Sequence, residues 1–108
     1  MRNVPYYRVA KYVEGNGTNG TTVFGEVTCG NRSDQICGCN GIAVDSQGFI
    51  YCSDSRNQRV VKITPFTMTV VVVAGTTGIA GAMANQLYNP QGIYVDANNT
   101  LYIADSGN

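Results

Sequence analysis

The fold of this chain is decided by a stretch that occurs twice. The first copy reads GIAVDSQGFIYCSDSRN at residues 41–57, and 51 residues later the second reads GIYVDANNTLYIADSGN at residues 92–108. Self-similarity at a fixed period of about 40–50 residues, with short apolar runs between turn residues, is typical of repeat architectures. The sequence therefore predicts a repeat protein.

Each repeat is predicted to be a four-stranded antiparallel meander. The apolar runs at 41–45 and 49–53 flank the turn-forming triplet Ser46-Gln47-Gly48, which indicates a β-hairpin of strands a and b. Residues 59–63 and 69–74 follow as strands c and d. A unit of four short strands repeated around an axis is a β-propeller blade.

Strands c and d also occur ahead of the first hairpin. Residues 8–12 match 59–63, and residues 21–25 match 71–75. We therefore predict an all-β chain, 1–108, that forms an incomplete ring in the order c-d, a-b-c-d, a-b. Strands c-d occupy 7–25, the complete blade 41–75, and strands a-b of the next blade 92–105, with 79–87 a loop.

Specific motifs point to a family. Residues 89–96, NPQGIYVD, and 101–108, LYIADSGN, resemble the NHL repeat in its P-x-G-I-x-V-D and I-Y-V-A-D-S-x-N form. Residues 54–60 are similar to its D-S-x-N-x-R-V junction. The first copy departs from the pattern, with Cys39-Asn40 where the second has Pro90-Gln91, and Gln58 stands at the family's frequent His position. The resemblance implies an NHL-type β-propeller.

Most repeated residues are interpreted as structural. Gly41 and Gly92 open the innermost strand, where a missing side chain allows close approach of neighbouring backbones. Short polar side chains follow strand b in both repeats, where they would cap the backbone of the turn into strand c. These turn residues are Asp54, Asn57, Asp105 and Asn108.

Asp45, Asp96 and Tyr94 are the candidate ligand-binding residues. Both aspartates end the innermost strand near one mouth of the central channel, where a ring of carboxylates would attract a cation or a polar ligand. The alternative is a turn cap. Tyr94 replaces Ala43 and would either shape a binding face or fill a gap at the axis. Two carboxylates fall short of the six to eight oxygens that calcium prefers, so we assign no metal, cofactor or catalytic residue.

Charge and hydropathy exclude some partners. Seven basic residues balance seven acidic ones, whereas nucleic-acid binding requires several Lys or Arg on one face. We predict no nucleic-acid partner. No apolar run approaches the roughly 18 residues of a membrane span, and Met1 to Val13 lacks the apolar core of a signal peptide.

The number of strands is too small for a closed ring. Propellers use about four to eight blades, so two blades' worth of strands would expose apolar faces and unpaired edges. Either the remaining blades belong to a longer chain, which the sequence favours because no special joining segment is present at Met1 to Pro5, or identical chains assemble, for instance three copies into a six-bladed trimer.

Cysteines and sequons favour an extracellular protein or an ectodomain. The chain has four Cys without zinc-type spacing and no His. We expect Cys29 to pair with Cys37 or Cys39 across a loop, and Cys52 to be a buried free thiol because it replaces Ile103. N-x-S/T acceptors begin at Asn16, Asn19, Asn31 and Asn98.

Three functions are considered. The NHL resemblance implies a noncatalytic scaffold that presents loops to a protein or glycan partner, which is the function we expect. One alternative is part of a metal-dependent enzyme such as the amidating lyase that resembles this fold, although a chain without His supplies no imidazole base or ligand. The other is an RNA-binding propeller of the kind attached to ubiquitin ligases, which the absence of a basic patch disfavours.

Overall fold

A computed structural model describes residues 7–11, 21–26, 36–64 and 69–108. This part of the chain contains eight β-strands and a single turn of 3-10 helix, Ser55–Asn57, between the fourth and fifth strands. The strands are β1 Tyr7–Lys11, β2 Thr21–Glu26, β3 Cys39–Val44, β4 Ile50–Asp54, β5 Arg59–Thr64, β6 Thr69–Gly75, β7 Pro90–Val95 and β8 Leu101–Asp105.

The strands form three antiparallel sheets that are consecutive along the chain. β1 pairs with β2, β3 to β6 form a four-stranded meander in sequence order, and β7 pairs with β8. The all-β fold and the predicted order c-d, a-b-c-d, a-b are confirmed, and the described strands do not close a ring. The predicted turn from strand b into strand c contains the 3-10 helix Ser55–Asn57.

The backbone repeats in its irregularities as well as in its strands. The pairing of β3 with β4 shifts register between Cys39 and Ile42, and the pairing of β7 with β8 shifts between Pro90 and Ile93. The outer hairpins repeat in the same way, with a shift between Val60 and Val61 in β5 and between Val9 and Ala10 in β1. β1–β2 is thus the outer half of a blade and β7–β8 the inner half.

The described core lies in the middle of the complete blade, on β4 and β5. Its buried members are Ile36, Cys52, Val61, Ile63 and Val70. The innermost strands β3 and β7 each have one face that is not covered, because Ile42 is 52% exposed, Val44 58% and Tyr94 63%. Uncovered blade faces are the consequence expected for an incomplete ring.

The complete blade packs against the next blade through their innermost strands. β3 lies against β7, and a Cβ atom added at Gly41 would collide with the Gln91 carbonyl oxygen and lie 2.9 Å from Ser53 Oγ. This position therefore requires glycine. A Cβ atom added at Gly92, the same position of the next repeat, would meet no atom of the described residues within 4 Å.

The segment between the two blades is a loop, as expected for 79–87. Isolated bridges join Thr76 to Ile79 and Ala80 to Leu87. The loop is fixed to the junction after β4, because the Gly78 amide donates to the Asn57 carbonyl at 2.8 Å. Within the described ranges there is no helix that is both long and apolar enough to cross a membrane.

The prediction for Cys52 was wrong. Cys52 is fully buried but forms a disulfide with Cys39, with 5.5 Å between the two Cα atoms. Beyond the bulge in β3, Cys39 lies opposite Asp54, two residues after Cys52 on β4. The bond therefore joins strands a and b of one blade. Cys37 is also disulfide-bonded. The predictions for Cys29, Asn16, Asn19 and Asn31 concern positions outside the described residues.

We predict that Gly41→Ala separates the two blades. The added methyl group has no room beside the Gln91 carbonyl, and overpacking of this kind costs about 1–3 kcal/mol. Urea denaturation followed by circular dichroism measures the loss of unfolding free energy. Asn40→Ala, an exposed position on the same strand, is the matched control. Equal stabilities of the two variants would contradict the close blade contact.

Candidate binding face

The turn between β3 and β4 is organised by the Asp45 carboxylate. Its Oδ1 accepts hydrogen bonds from the Gln47 amide at 2.9 Å and the Phe49 amide at 3.0 Å. Its Oδ2 accepts the Tyr51 hydroxyl at 2.9 Å. One carboxylate therefore holds both the turn and the strand that leaves it, which is the local hydrogen bonding by which Asp stabilises tight turns.

Asp96 has the same role in the second repeat. The Asn98 and Thr100 amides donate to its Oδ1 at 2.9 Å each, and the Tyr102 hydroxyl lies 3.4 Å from its Oδ2. The difference lies in burial, since the Asp45 residue is 8% exposed and Asp96 is only half-buried.

These bonds bear on the predicted carboxylate ring. The structure places Asp45 and Asp96 in equivalent turns, where their oxygens accept hydrogen bonds from their own hairpins. This is the turn-cap geometry that the sequence left as the alternative. Within the described ranges, no three His, Cys, Asp or Glu side chains are grouped closely enough to hold a metal ion. Ligand binding by the two aspartates stays a prediction.

The environment of Asp45 favours its charged form. Burial raises the pKa of the carboxyl group, but hydrogen bonds from the Tyr51 hydroxyl and the Phe49 and Gln47 amides, together with the charge of Lys62, leave the pKa below its usual 3.8. The Tyr51 pKa is raised, first by burial and then by its hydrogen bond to Asp45 and the charge of that group. At neutral pH the pair is a carboxylate that accepts a hydrogen bond from a neutral phenol.

The two turns are joined to each other. The Ser46 amide donates to Asn99 Oδ1 at 3.3 Å, and the Ser46 hydroxyl donates to the same oxygen at 3.1 Å. Ser46, Gln47, Asn98 and Asn99 are all exposed. We call the surface formed by residues 45–49 and 96–100 the turn face. The Ser46–Asn99 bridge could not be predicted from the repeat pattern, because the two residues occupy different positions of the repeat.

Tyr94 lies on a blade face, on the same side of β7 as Gly92. It is paired with Tyr102 across the strands, and the two ring centroids are 6.4 Å apart. Both rings are more than half exposed. The structure therefore places Tyr94 beside another aromatic ring on a sheet face, whereas the Asp96 carboxylate belongs to the turn.

A second carboxylate in each repeat lies at the end of strand b and holds the segments around it by hydrogen bonds. Asp54 is fully buried and accepts from the Cys37 amide at 2.6 Å, from Asn57 Nδ2 at 2.8 Å and from Arg59 Nε at 2.8 Å. The last contact is an ion pair with a guanidinium group whose residue is 2% exposed. Buried charges are stable in this form, paired and hydrogen-bonded.

Asp105 accepts equivalent hydrogen bonds in the second repeat but has no counterpart of the Arg59 ion pair among the described side chains. It accepts from the Tyr88 amide and from Asn108 Nδ2 at 2.7 Å each. Tyr88 and Asn108 stand 51 residues after Cys37 and Asn57. Among the side chains that the structure describes, no Lys or Arg forms an ion pair with Asp105.

Two serines that the sequence interpretation missed connect the blades. Ser53 Oγ donates to the Gln91 carbonyl, and Ser55 Oγ donates to the Pro90 carbonyl. Ser55 returns as Ser106 in the second repeat, which was a usable signal, but Ser53 is replaced by Ala104. These bonds orient β7 against the complete blade.

Comparison with known proteins agrees with the described geometry. The family model described as NHL repeat matches residues 37–63 and 87–108. The Arabidopsis thaliana protein named "Protein SUPPRESSOR OF QUENCHING 1, chloroplastic" is 37% identical over an alignment of 73 residues, which covers 63% of this chain and 7% of that protein.

A solved structure shares the fold. It is the crystal structure of a structural genomics protein of unknown function from Bacteroides thetaiotaomicron VPI-5482, with a TM-score of 0.74 and 20% identity. The match covers 92% of this chain and 27% of that chain. The chain thus spans a small part of either protein that it matches.

We predict that Asp54→Asn costs more stability than Asp105→Asn. The first change leaves the buried Arg59 guanidinium without its carboxylate, and breaking a buried pair costs about 3–5 kcal/mol. The second change weakens hydrogen bonds of a half-buried group, at about 1 kcal/mol. Urea denaturation, at a protein concentration at which both variants have the same molecular mass, measures the difference in unfolding free energy. Equal losses would contradict a structural role for the ion pair.

We predict that Asp45 contributes stability that acid removes. Because its folded pKa is below 3.8, the contribution is present above that pH and is lost as the pH falls through the folded pKa. The urea midpoint of the wild-type chain should therefore fall more steeply than that of Asp45→Asn from about pH 4 to about pH 2. Ser46→Ala, in the same turn, is the control and should follow the wild type. Parallel profiles for wild type and Asp45→Asn would show that this carboxylate does not stabilise the fold.

Proposed function

Because residues 37–63 and 87–108 of this chain are NHL repeats, we propose that it acts as a noncatalytic segment of an NHL β-propeller scaffold. The turn face presents exposed polar side chains to a protein or glycan partner. In this role the propeller is a rigid support and its turns form the recognition surface, because binding residues in proteins are concentrated on loops held by a rigid scaffold.

The bridge between the two turns is the observation that carries the proposal. Ser46 donates twice to Asn99, so hairpins from two blades are fixed relative to each other. Gln47 and Asn98 are exposed beside the bridge. Amide and hydroxyl groups both donate and accept hydrogen bonds, and a fixed array of them suits sugar hydroxyls or a peptide backbone because little ordering is required on binding.

The hydrogen bonds of the acidic residues support a noncatalytic role. Asp45, Asp96, Asp54 and Asp105 all accept hydrogen bonds within their own blades. The lowered pKa of Asp45 is unsuited to a general base or acid, whose pKa is best near the working pH. The chain also has no His.

We propose an extracellular or ectodomain location. The Cys39–Cys52 bond and the disulfide-bonded state of Cys37 support it, because disulfides persist in oxidising compartments and are rare in the cytosol. Asn98 is exposed in the second turn, as an N-x-T acceptor requires, but a glycan there would cover the turn face, so the proposed location rests on the disulfides.

The test is a ligand screen with a matched pair of variants. The chain is passed over a glycan array and a panel of extracellular-matrix proteins, and each ligand found is titrated by surface plasmon resonance. We expect Gln47→Ala combined with Asn98→Ala to raise the dissociation constant about tenfold, which corresponds to about 1.4 kcal/mol.

Met83→Ala is the control, because Met83 is exposed on the loop between the blades and is not part of the turn face. It should leave the dissociation constant within about twofold. Ligands that lose affinity in the Met83 variant but not in the turn-face variant would place the interaction elsewhere. Stoichiometric zinc or calcium binding with turnover of a peptide substrate would replace the scaffold by an enzyme, and salt-sensitive binding of single-stranded RNA would favour the RNA-binding alternative.

A further inference from the structure

The loop between the two blades carries exposed apolar side chains at the opposite ends of the strands from the turn face. β6 ends beside the start of β5, so residues 76–89 begin at the junction that follows β4. Residues 78–83 of this loop read GIAGAM, and we call them the loop tip. Met83 is the most exposed large apolar residue that the structure describes, at 69%. The other exposed side chains of the tip are Ile79, Ala80 and Ala82.

Hydrogen bonds fix the loop tip to both blades. The Gly78 amide donates to the Asn57 carbonyl at 2.8 Å, at the junction of the complete blade. The Gly81 carbonyl accepts from Asn108 Nδ2 at 2.8 Å, at the equivalent junction of the next blade. The Gly81 amide also donates to the Leu87 carbonyl at 3.2 Å, across the loop. The tip is therefore a fixed part of the surface, and its backbone needs little ordering when it binds.

The preceding repeat has the same loop pattern. Gly81 lies against Gln86, since a Cβ atom added at Gly81 would collide with the Gln86 side chain. The same two residue types stand 51 positions earlier in the sequence, at 30 and 35. The sequence of the loop is therefore repeated at the positions that determine its conformation.

The exposed positions of the loop differ between the repeats. Ile79, Ala82 and Met83 have polar or charged counterparts 51 positions earlier, which are Thr28, Asn31 and Arg32. Residues of these three types are mostly exposed in proteins, so these positions of the repeat face water in the blade architecture itself. The apolar residues of the loop tip are thus a property of the second repeat that the fold does not require.

The chemistry of the loop tip limits what binds to it. None of its residues has a polar side chain, and no charged residue occurs in the sequence between Lys62 and Asp96. Sugars are held by hydrogen-bonding side chains and nucleic acids by Lys and Arg, so neither class is suited to the tip. A lipid surface requires a larger apolar area and is attracted by Lys or Arg, whereas the tip has two large apolar side chains and no cation.

We propose that the loop tip docks into an uncharged apolar pocket of a protein partner, with Met83 as the side chain that fills the pocket. Methionine is unbranched and flexible, so it adapts to irregular apolar pockets. The glycines at 78 and 81 allow close approach of the partner to the loop backbone. A charged pocket is excluded, because the tip would bury the charge without pairing it. This contact is separate from the turn face and does not depend on the function proposed for that surface.

The residues that follow the tip have the composition of an interface rim. Asn85 and Asn89 are exposed and polar, and the Tyr88 side chain is 48% exposed. Protein interfaces have an apolar centre in which Met and Tyr are enriched, and a polar rim that excludes water from it. A centre at Met83 with Asn85 at its rim has this arrangement.

The first experiment separates an interface from a structural role. The loop-tip variant combines Ile79→Thr, Ala82→Asn and Met83→Arg, so that the tip has the residue types of the preceding repeat. We expect the urea midpoint of this variant to equal that of the wild-type chain, because the three side chains are exposed. Leu87→Ala, at a half-buried position of the same loop, is the control and should lower the midpoint. A lower midpoint for the loop-tip variant would show that the tip serves the fold and would overturn the proposal.

The second experiment measures binding of the full chain to a panel of purified secreted and cell-surface proteins by surface plasmon resonance. We expect at least one protein whose dissociation constant rises about hundredfold in the loop-tip variant and about tenfold in Met83→Ala, as for a central contact residue. Asn85→Ala, at the rim, is the matched control and should leave the dissociation constant within about twofold. The turn-face variant, Gln47→Ala with Asn98→Ala, should also leave it unchanged.

Three results would reject the loop tip as a protein-docking site. The first is a panel without any binder, and the second is equal binding of the wild-type chain and the loop-tip variant by every binder. The third is sedimentation of the wild-type chain, but not of the loop-tip variant, with phosphatidylcholine vesicles, which would assign the tip to a lipid surface. Binders that lose affinity only in the turn-face variant would support the function proposed for the turn face and leave that proposal intact.

Discussion

Each blade of this protein keeps its apolar faces out of water only by lying against another blade. The complete meander of β3 to β6 buries Cys52, Val61 and Ile63 fully, whereas Ile42 and Val44 on its uncovered face remain more than half exposed. A four-stranded sheet has two faces and cannot cover both by itself. The need for a neighbouring blade therefore determines the packing of the complete blade and the glycine at the contact of its innermost strand.

The close contact of β3 with β7 depends on a polar arrangement as well as on glycine. Ser53 and Ser55 donate to the carbonyls of Gln91 and Pro90, which lie at the register shift of β7. Backbone carbonyls in such a contact must be hydrogen-bonded, because an unpaired buried polar group costs about 1–3 kcal/mol. The missing side chain at Gly41 leaves room for these bonds, so the two features act together.

The carboxylates of the repeat stabilise the fold by accepting hydrogen bonds. Asp45 and Asp96 hold the hairpin turns, and Asp54 and Asp105 hold the outer ends of the same hairpins. Two acidic residues per repeat thus fix the geometry of strands a and b at both ends. Rigid hairpins of this kind allow exposed neighbours such as Gln47 and Asn98 to serve recognition, since ordering them on binding costs little.

The sequence by itself determined the repeat, the strands and the turns, because these depend on residues near each other in the chain: alternating apolar residues, Gly and Asp at turns, and the 51-residue spacing. It also placed the Asp45 and Asp96 turn caps among the alternatives. Only the tertiary structure decided the Cys39–Cys52 pairing, the Ser46–Asn99 bridge and the serine contacts to β7. These join atoms whose distance is set by the bulge in β3 and by the approach of two blades, and neither is encoded in the spacing of residues along the chain.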